Sequence, residues 1–122
     1  MADLELSFNG VQERDQIAFV EGELGIGETT IEVDTGGEVR LCAVAFGAGF
    51  EGASITVKQE VPWSAGAADH TINELTITPV AGEIVALDYA DWYWPGKVTF
   101  TVNTGQTAAH DIGFFGWRGR VQ

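Results

Sequence analysis

Val39-Arg40-Leu41-Cys42-Ala43-Val44-Ala45-Phe46 holds a single charged residue, and both of its alternating sets are largely apolar. Successive side chains along a strand point to opposite faces. Val39, Leu41, Ala43 and Ala45 therefore share one face, and Arg40, Cys42, Val44 and Phe46 the other. A strand that is apolar on both sides is covered on both sides, or covered on one of them by another subunit. The segment is expected at the centre of a sheet, and it sets the fold class as all-β.

Reading outward, the same two-residue rhythm recurs and a 3.6-residue period is absent. Downstream, Gly47–Gly52 is a glycine-rich connection, and Ser54–Gln59 alternates Ile55 and Val57 with Thr56 and Lys58. Glu74–Thr78, Glu83–Leu87, Lys97–Val102 and Asp111–Trp117 follow as strands. Upstream, Asp34-Thr35-Gly36-Gly37 turns the chain, preceded by strands at Thr29–Val33, Gln16–Val20 and Leu4–Phe8. Eight to nine short strands at regular spacing predict an antiparallel β-sandwich, jelly-roll-like in organisation. Glu60–Asn73, with Pro62 and Trp63, is the longest irregular stretch, and a helical turn is expected only over Asp88–Trp94, before Pro95-Gly96.

The chain has 122 residues, enough for one core that buries roughly two-thirds of its unfolded surface. Residues 28–122 are expected to form the sandwich domain. Residues 1–27 read as an acidic arm with short strands, because Gly22, Gly25 and Gly27 are costly to order. The first residues, Met1-Ala2-Asp3-Leu4-Glu5, carry no basic segment followed by an apolar one, which predicts synthesis in the cytosol. Cys42 has no second cysteine to pair with, and it reads as a buried, unreactive thiol.

Charge narrows the function. Eighteen acids against six bases give a net charge of −12, which argues against nucleic acid, since phosphate binding needs clustered Lys and Arg. The acids crowd towards one end: residues 1–38 hold ten acids and one base, Arg14, whereas Arg118 and Arg120 follow the final acid, Asp111. Opposite ends of neighbouring copies are thereby able to attract one another, although surface acid also serves solubility.

Catalytic signatures are missing. Asp69-His70 and His110-Asp111 lack the spacing of a zinc site, and adjacent strand residues do not converge on one ion. Ser7, Ser54 and Ser64 lack a nucleophile elbow, and no glycine loop carries Lys-Ser or Lys-Thr. The reading is a protein that is not an enzyme and uses no metal or cofactor. The strongest local feature is Tyr89-Ala90-Asp91-Trp92-Tyr93-Trp94-Pro95-Gly96. Clustered aromatics serve as an interface hot spot, a platform for sugar rings or a plug at one end of the core. Candidate interface residues are Trp63, Tyr89, Trp92, Tyr93, Trp94, Phe115, Trp117, Arg118 and Arg120.

From Glu28 to Arg118 the chain resembles short virion proteins of tailed bacteriophages. The likeness rests on Ile31-Glu32-Val33-Asp34-Thr35-Gly36-Gly37-Glu38-Val39-Arg40-Leu41, on Gly52-Ala53-Ser54-Ile55-Thr56-Val57-Lys58-Gln59, and on Ile84-Val85-Ala86-Leu87-Asp88-Tyr89-Ala90-Asp91-Trp92. It ends with Gln106-Thr107-Ala108-Ala109 and a closing strand through Arg118, and it departs from the pattern at Glu60–Asn73. The resemblance implies a β-sandwich component of the phage particle, a cement or decoration protein on the capsid surface. Its expected partners are the major capsid protein or other virion proteins and further copies of itself, with neither nucleic acid nor membrane. The alternatives are a carbohydrate-binding adhesion domain and a tail or fibre component.

Overall fold

A computed structural model describes residues 4–8, 17–35, 39–61, 70–87 and 97–118. Alternating apolar and polar residues, with β-branched residues prominent, form strands wherever a partner strand lies alongside. These are β1 (Leu4–Ser7), β2 (Ile17–Leu24), β3 (Thr30–Asp34), β4 (Val39–Phe46), β5 (Ile55–Val61), β6 (His70–Ile77), β7 (Ile84–Ala86), β8 (Lys97–Val102) and β9 (His110–Arg118). They form a five-stranded sheet, β1-β3-β8-β5-β6, and a four-stranded sheet, β2-β9-β4-β7. The antiparallel pairs β2/β9, β3/β8, β4/β7 and β5/β6 nest inside one another. That nesting is a long hairpin wrapped over itself, the jelly-roll topology. The parallel pairing of β1 with β3 is an addition at the edge.

The inner faces meet in one core. Ile31, Val33, Ile55, Val57, Val98, Phe100 and Val102 come from the five-stranded sheet. Ala18, Val20, Leu24, Leu41, Val44, Phe46, Ile112 and Phe114 come from the four-stranded sheet. Phe100 and Phe114 meet at the centre with ring centroids 4.7 Å apart, a tilted pair that locks the two sheets in place. Each buried side chain of this size stabilises the fold by about 1.5–3 kcal/mol.

Tertiary pairing overrides the sequence reading in three places. β4 is central, between β9 and β7, but a bulge between Leu41 and Ala43 inserts Cys42 as an extra residue. Leu41, Val44 and Phe46 are consequently buried together, while Ala43 and Ala45 lie on the opposite, outer face with Phe115 and Gly113, their register partners. Strict alternation had placed Leu41 with the alanines. β2 continues through Gly22 to Leu24, because all eight of its residues pair with β9. Gly22 also has a packing role: a Cβ there would lie 3.0 Å from Leu6 and 3.1 Å from Leu4. The strands β1 and β2 lie within residues 1–27, where short strands were expected, and pair with β3 and β9. Finally, β5 and β6 pair as far as Val61 with His70, across a register shift at Gln59/Glu60. Residues 62–69, the middle of that expected irregular stretch, lie outside the described residues.

Candidate interaction surface

The outer face of the four-stranded sheet follows from the register. One row across it reads Phe19, Phe115, Ala43, Ala86, and the next reads Glu21, Gly113, Ala45, Ile84. Phe19 is 37% exposed and Ile84 is 61% exposed, and Ala86 is also exposed. The Phe19 and Phe115 rings lie 4.5 Å apart. Gly113 makes room for them, since a Cβ at that position would fall 2.6 Å from two atoms of the Phe19 ring. The result is a ridge of two aromatic rings over β2 and β9, beside the small side chains Ala43, Ala45 and Ala86, with Ile84 standing out at the β7 edge. Exposed Glu21, Glu23 and Asp111 mark one corner. Contiguous apolar surface of this kind, rimmed by charge, is characteristic of sites where another macromolecule docks.

A second cluster lies at one end of the sandwich, where three connections meet. Gln106 is buried, and its side chain holds the Glu51 backbone from both sides. Its Oε1 accepts from Glu51 N–H at 3.0 Å, and its Nε2 donates to the Glu51 carbonyl at 2.7 Å. His110 Nδ1 lies 2.8 Å from the same Gln106 Oε1, so the proton is assigned to Nδ1. The Glu51 carboxylate accepts from Thr107 N–H at 2.7 Å and from Thr107 Oγ1–H at 2.8 Å. It lies 3.7 Å from His110 Nδ1. The Thr107 backbone N–H, then its hydroxyl, hold the Glu51 carboxyl below the usual carboxylate range, with a smaller contribution from His110. The Gln106 carbonyl also accepts from Gly27 N–H at 2.9 Å. Beside that bond, Ile26 stands 73% exposed in the turn. This arrangement clamps loops. Among the described residues, no three His, Cys, Asp or Glu side chains converge as a metal site would need.

Of the sequence candidates, Phe115 lies on the outer face, half-buried against Phe19. Trp117 pairs through its backbone with Ile17 and Arg40, and Arg118 with Val39. Trp63, Tyr89, Trp92, Tyr93, Trp94 and Arg120 lie outside the described residues, as does the Asp88–Trp94 turn. β9 is not an edge strand: β2 and β4 flank it, and Phe114 enters the core. The sequence reading did not find Phe19, Ala86 and Ile84 as surface partners. Their signal was faint, because β7 is only three apolar residues and nothing in its sequence says which of them face outward. His110 and Asp111 diverge as strand geometry requires, His110 towards Gln106 and Asp111 to solvent. Cys42 is only partly buried. Its Sγ donates to the Phe115 carbonyl at 3.5 Å, and burial pushes its thiol pKa up, which lowers its nucleophilicity at neutral pH.

No family model matches this chain, and no curated protein matches it. No helix among the described residues is long and apolar enough to cross a membrane.

Proposed function

We propose that this chain is a structural protein that works by docking, in particular a cement or decoration protein on a tailed-phage capsid. The observation that carries the reading is the apolar outer face of the four-stranded sheet, a surface laid out for contact on a rigid jelly roll. The jelly roll hosts viral capsid domains and lectins alike, so the fold agrees with the proposal without selecting it. A cement function requires a small rigid body with a contact surface, and it requires no reacting groups. The net charge of −12 keeps such a protein soluble before assembly.

The test uses phage heads assembled without this protein. Added back, the purified chain is expected to co-sediment with the heads, to saturate at a fixed copy number and to raise their resistance to heat. Phe19→Ser is expected to weaken that binding. Heads that stay bare at saturating protein overturn the reading, and a glycan panel that quenches tryptophan fluorescence would replace it with the adhesion alternative.

A further inference from the structure

We infer that the outer face of the four-stranded sheet receives a short extended segment of a partner protein, apolar at one end and basic at the other. This deepens the docking reading, on which it rests, by naming the occupant's chemistry. Register lays out the seat. Ala43 and Ala45 form a floor along β4, with Phe115 on the β9 side and exposed Ile84 on the β7 side. The Phe19 ring, over Gly113, continues the β9 wall. The next row along holds Glu23 and Asp111, and then two residues without side chains. Gly47 N–H donates to the Asp111 carbonyl at 2.9 Å, and Gly82 N–H to the Gly47 carbonyl at 3.0 Å. Floor and walls thus lead from apolar surface to three exposed carboxylates, Glu21, Glu23 and Asp111.

Charge selects the occupant. On the outer face of the other sheet, Lys58 stands directly opposite Glu74 in the row that also holds Glu5 and Glu32, so opposite charges share one cross-strand pair. On this face Glu23 stands directly opposite Asp111, and among the described residues no Lys or Arg occupies any of the three rows. Like charges directly across a strand pair cost stability. A cation brought by a partner relieves that repulsion, whereas an acidic partner or a second copy at −12 adds to it.

Size favours a segment over a folded domain. The seat spans two strand spacings, about 10 Å, and three rows two residues apart, about 14 Å. That is a small part of the roughly 800 Å² per partner that folded domains bury in a standard interface. It suits one extended chain, whose alternate side chains fall about 7 Å apart and match the rows. Two apolar side chains, at positions i and i+2, lie over Ala43 and Ala45. A Lys or Arg at i+4 then reaches Asp111 and Glu23. Apolar burial holds the segment and the carboxylates set its direction, so binding weakens as salt rises.

The experiment is fluorescence anisotropy on the whole chain with a labelled synthetic peptide, Ser-Val-Ser-Val-Ser-Lys-Ser-Lys-Ser, at low and high salt. Saturable binding with a dissociation constant on the order of 100 μM, weakened by salt, is expected. The peptide with Glu in place of Lys, and the one with Ser in place of Val, are each expected to bind about tenfold more weakly. Glu23→Gln with Asp111→Asn is expected to weaken binding about tenfold while keeping or raising the melting temperature, because it removes the facing like charges. Glu5→Gln with Glu74→Gln removes the same charge from the other sheet and is expected to change binding by no more than about twofold. No binding of the peptide, equal weakening by the two double variants, or equally tight binding of the Glu peptide overturns the inference. Wild-type dimers in sedimentation velocity that Ala86→Lys dissolves put a second copy on the face and overturn it too. Heads lacking the protein separate the two readings. A chain that binds the peptide yet leaves heads bare overturns the virion reading alone. Heads decorated equally by wild type and by the Glu23→Gln, Asp111→Asn chain overturn the basic segment alone.

Discussion

Across the five-stranded sheet, Thr30, Thr101, Thr56 and Thr76 stand side by side on the outer face, next to a row of Glu5, Glu32, Thr99, Lys58 and Glu74. Across the four-stranded sheet the rows read Phe19, Phe115, Ala43, Ala86 and Glu21, Gly113, Ala45, Ile84. Both sheets bury the same kind of inner face, rich in Val, Ile, Leu and Phe. They differ only in what they turn outward. Threonine and charged side chains satisfy themselves in water, and β-branched threonine suits a strand without needing a cover. Phenylalanine and alanine in register gain only when something excludes water from them. One outer face suits solvent, and the other leaves apolar side chains partly exposed to it.

The comparison is sharpened first at the inner faces, where the sheets are expected to behave alike. Phe100→Ala and Phe114→Ala are each expected to cost about 3–5 kcal/mol in a urea melt, because each empties a fully buried ring site shared with the other. A large difference between the two would mean that one sheet dominates the core. At the outer face the asymmetry should emerge. Phe115→Ala is expected to lower the stability of dilute protein by about 1 kcal/mol, through the half-buried contact with Phe19, and to weaken binding to phage heads more than it weakens folding.

The loop clamp gives a pH-dependent test independent of either face. The folded pKa of Glu51 is depressed, so its contribution is present above the unfolded carboxylate value and is lost as pH falls through the folded one. Glu51→Gln is expected to flatten that acid limb of a stability–pH curve and leave the neutral-to-alkaline part parallel to wild type. An unchanged acid limb would mean that Thr107 and His110 do not hold the carboxylate in solution. The smallest effect belongs to the threonine row. Thr76→Val, at an exposed position, is expected to shift stability by no more than about 0.5 kcal/mol in either direction, with binding to phage heads unchanged.

Strand positions were legible in the sequence because alternation is a local property. Lys97–Val102 reads as a strand and is one, and the two-sided apolar pattern of Val39–Phe46 marks a central strand correctly. What was illegible depends on neighbours. The extra residue at Cys42 exchanges the faces of half of β4, and no composition signals it. Gly22 reads as a breaker until Leu4 and Leu6 are seen lying over it. The outer face was legible in part: Phe115 was singled out, whereas Phe19 and Ile84 gain meaning only when register sets them beside glycine and alanine. The aromatic turn, prominent in the sequence, lies outside the described residues.

The nested pairing has a consequence for how the molecule is made. β9 fits between β2 and β4, so the four-stranded sheet is held open until residues from opposite ends of the described chain meet. Until β9 is made, β2 has no partner in its sheet and β4 pairs only with β7, with one edge open and apolar residues on both of its sides. Non-local closure of this kind folds slowly and exposes aggregation-prone edges meanwhile. Growth temperature and rate of synthesis should therefore decide the yield of soluble protein more than the stability of the finished fold does.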